Sequence, residues 1–321
     1  MSDPSVLFVI INRNHGNYLH ECLDALRNQS YSEYRTIIID NDSTDGSPKW
    51  IEKTYPEIHL CRFSKNHGFS FALNYAVSIS KDPFILSLNP DVYIRRDFIF
   101  KLVIAINQNA RYGIAAPKLL SADDPEYIDS TGLFVNRSRG TSDRGQGELD
   151  LGQYDDRLDV FGASGAAVLY RRAMLEDVAI DGEYFDENFF AYYEDADISW
   201  RAQLRGWSSI FVPTAVAIHV RGSGDTLRKQ RIHNVLGPRL ALRNRYLTTI
   251  KNDTSTSFIA DIPIIFATEF IRFFYMVIRF PTALLGFWDI MLLLPSTWQK
   301  RKKIQKSRTV DNNLIRKRFF L

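Results

Sequence analysis

Four β-rich runs separated by helix-like stretches fill the first 120 residues, and this alternation constrains the fold more than any other feature. "SVLFVII" (5–11) is continuous and apolar, as suits a strand buried on both faces. "YRTIIID" (34–40), "IHLCRFS" and "PFILSLNPDV" (83–92) repeat the pattern. Between them, "YLHECLDALRNQ" sets Leu19, Leu23 and Leu26 at helical spacing, and Ser47 and Pro48 open a helix in "GSPKWIEKTY". "GFSFALNYAVSIS" supplies a third helix. A βαβα order predicts an α/β fold, a mostly parallel central sheet with flanking helices. Ligands of such sheets bind beyond the carboxyl ends of the strands. The residues there are "NRN", "DNDS", "KNHG" and "NPD", all on one edge.

Beyond this half, the signals weaken. Residues 136 to 158 hold four glycines, many charges and little apolar periodicity, and read as a mobile surface loop or lid. "DVFGASGAAVLYRRAML" returns to small-residue packing and a short helix, and "GWSSIFVPTAVAIHVRG" reads as a pair of short strands. Residues 227 to 252 are helical and basic. From 258 to 298 the chain is strongly apolar, but its longest charge-free stretch is about nine residues. A bilayer span needs roughly 20. Phe266, Phe270, Phe273, Phe274, Val277 and Ile278 recur at helical spacing, with Glu269, Arg272 and Arg279 opposite. One reading is a core helix packed on the rest of the chain. The other is an interfacial helix, to which the basic cluster "KRKKIQKSR" adds affinity for an anionic membrane surface.

The net charge of +3 is too small to indicate nucleic acid, and none is expected as a partner. Two cysteines, Cys22 and Cys61, imply no disulfide framework and a reducing compartment. The first residues, "MSDPSVLFVIINRN", lack a basic n-region, so no signal peptide is expected. A cytoplasmic protein, peripheral on the inner face of the cell membrane, fits these features. Neither GxxxxGK[ST] nor GxGxxG after the first strand occurs, which argues against a P-loop nucleotidase or a dinucleotide oxidoreductase.

Each candidate motif has a plain structural reading beside its chemical one. Asp40, Asp42 and Asp45 in "IIIDNDSTDGS" suit turns and caps, yet a carboxylate at a strand end such as Asp40 can accept the imide N–H of uracil or thymine. "LSLNPDV" sets Asn89 and Asp91 around a stiffening proline, so two oxygen-bearing side chains can converge on a hard cation. His219 ends a later strand, and imidazole suits manganese better than magnesium. In "FFAYYEDADISWRAQLRGW" (189–207), the helix dipole and an Asp197–Arg201 pair account for Glu194 and Asp197. They leave the aromatic run unexplained. Rings suit stacking on a sugar, and partial burial beside other acids raises a carboxylate toward general-base values.

Taken in order, "VIINRN", "IIIDNDSTDGS", "NHGFSFALN", "LSLNPDV", "GASGAAVLYRR", "FDENFFAYYEDADISWRAQLRGW" and "IHVRGSG" resemble the family-2 glycosyltransferases of the GT-A fold, especially rhamnosyltransferase-like members. The resemblance spans roughly residues 5 to 225. It implies that Asp40 contacts the nucleotide base, that Asn12 and Asn14 line the same pocket, and that Asn66 and Gly68 support the donor. Asn89 and Asp91 stand at the family's Asp-x-Asp metal motif and His219 at its late metal-binding histidine, implying a divalent cation, Mn2+ or Mg2+. Asp195 matches the catalytic base, with Glu194, Asp197 and Arg201 in support. Two positions depart from the pattern. Asn89 is a neutral ligand, available to metal or to ribose, and "AQLRGW" breaks the Gln-x-x-Arg-Trp motif of processive synthases, which favours addition of one or a few sugars.

The expected protein is therefore an inverting glycosyltransferase. It takes a nucleotide-diphosphate sugar donor, with a lean toward dTDP-rhamnose from the resemblance alone, and a glycan or polyprenyl-linked glycan acceptor. Residues 1–225 would form the catalytic domain, with a nucleotide-sugar half to 120 and an acceptor half from 121. Residues 226–321 would form a basic, amphipathic helical region. The alternative is a non-catalytic membrane-bound subunit that keeps the fold to bind sugar nucleotide or a partner enzyme.

Overall fold

The computed structural model describes residues 3–221 and 236–320. Strand β1 (Val6–Asn12) is buried along its whole length. Val6, Phe8 and Ile10 enter one apolar layer, while Leu7, Val9 and Ile11 enter another. A strand buried on both faces belongs at the centre of a covered sheet. β1 pairs in parallel with β2 (Tyr34–Asn41) and β4 (Phe84–Leu88), and β2 pairs in parallel with β3 (His59–Phe63). Helices α1 (Gly16–Arg27), α2 (Ser47–Thr54) and α3 (Phe69–Ser78) make the crossovers. Leu19, Leu23 and Leu26 of α1 cover one face, and Ala72 and Leu73 of α3 cover the other.

The sheet's second half is mixed. After β5 (Val92–Ile94) and α4 (Phe98–Asn107) come β6 (Tyr112–Ser121), β7 (Ile128–Ser130), β8 (Leu133–Asn136), β9 (Thr141–Asp143), β10 (Asp159–Val160) and β11 (Ala167–Arg171). β11 runs antiparallel to both β4 and β6. Then follow α5 (Arg172–Val178), α6 (Glu194–Leu204) and β12 (Ser208–His219), the last parallel to β6. The stretch expected to be two short strands is thus one. Its register slips between Val212 and Val216, around Pro213, which has no N–H to donate to the ladder.

Residues 136 to 158 are not a structureless loop. β8 and β9 pair antiparallel, and β13 (Phe319–Phe320) adds to β8 from the far end of the chain. Two arginines anchor the segment from inside. Arg139 pairs with Asp253 at 2.7 Å and Asp261 at 2.9 Å. Arg144 donates to the carbonyls of Thr131 and Arg157, at 2.9 and 2.8 Å, and lies over the rings of Tyr154 and Phe211. Charge content suggested solvent, but these two charges are interior.

The C-terminal helices are α7 (Leu236–Asn252), α8 (Ser255–Arg279), α9 (Leu285–Ser307) and α10 (Asn312–Lys317). The expected boundary at 225/226 and the start of the basic stretch at 227 lie outside the described residues. In α8 the usual arrangement is reversed: its only fully buried residues are Ser257 and Asp261. Glu269 turns inward to Arg245, at 2.5 Å, while Phe266 is 72% and Ile278 82% exposed. α8 is therefore not a core helix. The basic cluster after it is partly used up: Lys300 is buried against Glu183 and Asp186, and Arg301 donates to the carbonyls of Ile250 and Asp253. Lys303 pairs with Asp181, and Lys302 and Lys306 remain exposed. No helix among the described residues is long and apolar enough to cross a membrane.

Candidate active site

The exits of β1 to β4 open on a cleft of about 740 Å³ whose walls include Arg13, Asn41, Asn66, Asn89 and Asp91. His219 faces them because β12 pairs antiparallel with β5 in a register that sets His219 opposite Val92, and because Val220 donates its N–H to the Asp91 carbonyl at 3.0 Å. His219 Nε2 lies 3.6 Å from Asp91 Oδ1, and Nδ1 meets Asp129 Oδ2 at 2.8 Å. Burial alone would lower the imidazole pKa, but the hydrogen bonds and charges of Asp129 and Asp91 outweigh it and hold the group up at about 9. Burial would raise the Asp91 carboxyl, and His219 outweighs that and holds it below the usual range. Arg221 completes this wall, with Asp129 at 2.7 Å and Asp143 at 2.6 Å.

A divalent cation fits this donor set only in part. Among the described residues no cluster of three His, Cys, Asp or Glu side chains could hold one. Asp91 and His219 supply two ligand types at one point, and Asp129 fixes the ring orientation as metal-bound histidines require. Such a site suits an ion that takes its remaining oxygens from a substrate's phosphates and from water.

The opposite wall carries the acids. Asp195 Oδ2 accepts from Gly165 N–H at 2.8 Å, and the next carbonyl, that of Ala166, accepts from Asn89 N–H at 2.8 Å. Two consecutive residues of the "GASGA" turn thus tie the Asn-Pro-Asp wall to the acid. Burial pushes the Asp195 carboxyl up to about 6, although the Gly165 and Ala196 N–H groups pull it back. Burial and then the Asp195 charge raise Glu194 further, and its Oε2 is buried without a hydrogen-bond partner among the described residues.

Of the residues singled out from sequence, Asn66, Gly68, Asn89, Asp91, His219, Glu194 and Asp195 share this cleft. Asn12 and Asp40 are buried behind it, joined at 3.1 Å, with Asn12 also donating to Ser47 at 2.8 Å. Asn14 is exposed and accepts from Thr44 N–H at 2.7 Å. Asp197 and Arg201 are buried on the other side of α6, paired at 2.9 Å, where Asp197 also meets Lys251 at 2.9 Å and Asn252 at 2.7 Å. Gly68 has a local reason to be glycine. Its φ is +88°, and a Cβ there would stand 2.6 Å from the Phe190 carbonyl oxygen. Asp129, Asp143, Arg221 and Asn244 were not singled out, because none sits in a pattern that marks it. Asn244 lies on a basic helix whose inward side also carries Arg245, Lys251 and Asn252, so nothing local set it apart.

The model of glycosyl transferase family 2 matches residues 5–179, more than half the chain. The chain belongs to this family. A second model, glycosyl transferase family group 2, matches residues 148–300. Among relatives of this family-2 chain is the N-acetylglucosaminyl-diphospho-decaprenol L-rhamnosyltransferase of Mycobacterium tuberculosis, 26% identical over 66% of this chain and 74% of the relative. Rhamnosyltransferase WbbL of Escherichia coli is 25% identical over 67% of this chain and 83% of its own. The low-salt glycan biosynthesis hexosyltransferase Agl10 of Haloferax volcanii is 27% identical over 66% of each. The mannosyltransferase of Pyrobaculum calidifontis, solved with GDP-Man and Mn2+, superposes with a TM-score of 0.55 at 16% identity, over 96% of this chain and 86% of that one. GalNAc-T7, solved with UDP, GalNAc and Mn2+, gives 0.58 at 14% identity over 77% of this chain and 48% of its own. These two likenesses establish the GT-A fold, as the resemblance implied.

Proposed function

We propose that this family-2 glycosyltransferase moves a sugar, with inversion, from a nucleotide-diphosphate donor to a hydroxyl of a glycan or lipid-linked glycan. The observation that carries the reading is Asp195, a carboxylate held near neutrality by burial, sharing one cleft with the Asn89–Asp91–His219 wall. Asp195 takes the acceptor hydroxyl's proton, and the freed oxygen forms its bond to the anomeric carbon. The bond from that carbon to the diphosphate breaks on the opposite face, and its electron pair leaves with the nucleotide. A divalent cation, when bound, would neutralise the departing diphosphate, and Asp91 and His219 would hold it, with Asn89 beside them. Asn66 and Gly68 support the donor, and the buried Asn12–Asp40 pair backs the pocket in which the base would lie. Glu194, kept neutral by its own raised pKa, leaves one negative charge beside the nucleophile instead of two.

The rhamnosyl relatives favour dTDP-rhamnose as the first donor to try, and the decaprenol-linked acceptor of one of them favours a polyprenyl-linked acceptor. The exposed apolar side of α8 supports docking on a membrane, where such acceptors reside. Donor hydrolysis by the purified protein, across a panel of nucleotide sugars in manganese, magnesium or excess chelator, tests the reading. At least one donor should be turned over, faster with metal, and Asp91→Ala should weaken its binding with manganese present and not in chelator. Full activity in chelator removes Asp91 and His219 from the metal role. No turnover of any donor favours the non-catalytic alternative.

A further inference from the structure

Three large residues in the turn before α6 stand in the left-handed region: Phe190 at φ +64°, Tyr192 at +71° and Tyr193 at +72°. Such residues stay there only when their surroundings hold them. Tyr193 is the N-cap of α6, and Asp195 comes two residues later. The backbone that precedes it is gripped by one side chain. Asn244, fully buried on α7, points its Nδ2 at the carbonyls of Phe189, Ala191 and Tyr192, at 2.9, 2.8 and 2.8 Å. Its Oδ1 accepts from Arg243 Nε at 2.8 Å, which fixes which way the amide faces. Arg243 Nη2 adds bonds to the carbonyls of Asn188 and Phe189, at 2.7 and 2.8 Å. From the other side, Phe69 N–H donates to the Phe190 carbonyl at 2.5 Å.

We propose that Asn244 is a positioning residue for Asp195, its amide holding the strained 189–193 turn so that α6 starts where Asp195 reaches Gly165. The claim rests on the reading of Asp195 as the base only for its effect on turnover; the effect on geometry stands apart. Without the amide, the Ala191 and Tyr192 carbonyls lose their donor and that of Phe189 keeps Arg243 and the Ala191 N–H, so the turn relaxes from its left-handed conformers and the first turn of α6 shifts. Misplacement by about 1 Å typically costs on the order of 100-fold in rate. The groups that face Asp195 are Glu194, Asp143 and the buried phenols of Tyr170 and Tyr193. None of them lies on α7, so a change at Asn244 reaches the carboxyl through the turn and not by charge.

The experiment is a 13C carboxyl titration of Asp195 in the full-length protein, its resonance assigned by its loss in Asp195→Asn, alongside turnover of dTDP-rhamnose and calorimetric binding of dTDP with manganese. Asn244→Ala should move the Asp195 titration toward the ordinary carboxylate range and change dTDP binding far less than it changes turnover. It should lower turnover roughly tenfold to hundredfold. In the Asp195→Asn background the same change should add little. Should Asn244→Ala fail to fold, Arg243→Gln, which frees the amide to rotate, must move the titration in the same direction by less. An unmoved Asp195 titration in a folded Asn244→Ala, or in Arg243→Gln, overturns the proposal. Wild-type turnover in Asp195→Asn would instead sink the base assignment, with the titration still deciding the clamp.

Discussion

A carboxyl that burial holds above its usual range is ionised more readily in the unfolded chain than in the folded one. Asp195, raised to about 6, is such a group. Its protonated form favours the fold, so that contribution is present at low pH and is lost as pH rises through about 6. Activity has the opposite sign, because a general base works only when ionised. Turnover should therefore climb through an acid limb near pH 6 in the wild type. Asp195→Asn should lose roughly 10²–10⁴-fold in transfer and yet melt no lower, and at pH 8 higher, than the wild type, on the order of 1–3 kcal/mol in stability. Near-normal turnover by a folded Asp195→Asn protein, or a variant that unfolds at lower temperature at pH 8, would contradict this assignment. Much of this site was legible beforehand, because strand-exit residues such as Asn66, Asn89 and Asp91 carry their address in the βα alternation. Asp129 was not. It is a single acid on a three-residue strand, and only the pairing of both β7 and β12 with β6 brings His219 to it.

Elements differ in how well local pattern specifies them. β1 could be read because each of its side chains enters one of two apolar layers, and a continuous apolar run is the direct record of that. The segment between β8 and β10 could not, because its order comes from Arg139 and Arg144 finding partners more than a hundred residues away or in neighbouring loops. α8 is joined to this segment through charge. Asp261, buried on its inner side, receives Arg139 at 2.9 Å, Arg316 at 2.9 Å, and Arg137. Removing one partner of a buried ion pair typically costs about 3–5 kcal/mol, since the remaining charge is left uncompensated. Asp261→Ala should lower the melting temperature more than Asp159→Ala, whose exposed carboxylate meets, among the described residues, only Arg318. The arginines hold the Asp261 carboxyl well below its usual range, so its contribution is present above the unfolded carboxylate pKa and fades as pH falls. The gap between the two variants should accordingly be wide at pH 7 and narrow toward pH 3. Equal melting of both variants at pH 7 would mean that α8 docks by something other than this cluster.

At the scale of the whole molecule, α7, α8 and α9 face two ways. Their inner sides grip the acid-bearing turn: Tyr193 packs in a cluster with Phe189, Leu247 and Ile290, and Lys251 pairs with Asp186 and Asp197. Their outer side exposes Ile259, Phe266, Phe270, Ile271 and Ile278 on α8, and Trp288 and Met291 on α9. A patch of this kind on a soluble surface marks an interaction site. Helical periodicity alone predicted two faces but not which would point outward, since Glu269 and Arg272 are as natural on a wet face as in an internal network. With Lys300 and Arg301 committed inward and Lys303 paired with Asp181, the charge term left for anionic lipid rests on Lys302 and Lys306. Each such residue is worth about 1 kcal/mol at an anionic surface and is screened by salt. Full burial of a Phe or Ile side chain is worth about 1.5–3 kcal/mol and is not screened. The apolar term should dominate. In liposome flotation, Phe266→Asp with Ile278→Asp should abolish binding to neutral and anionic vesicles alike, while Lys302→Gln with Lys306→Gln should weaken only the anionic case and only at low salt. Both double variants should hydrolyse the donor in solution at the wild-type rate, because neither touches the cleft. Binding that survives the aspartates, or that follows lipid charge alone, would remove α8 from the membrane and leave its apolar side to a protein partner.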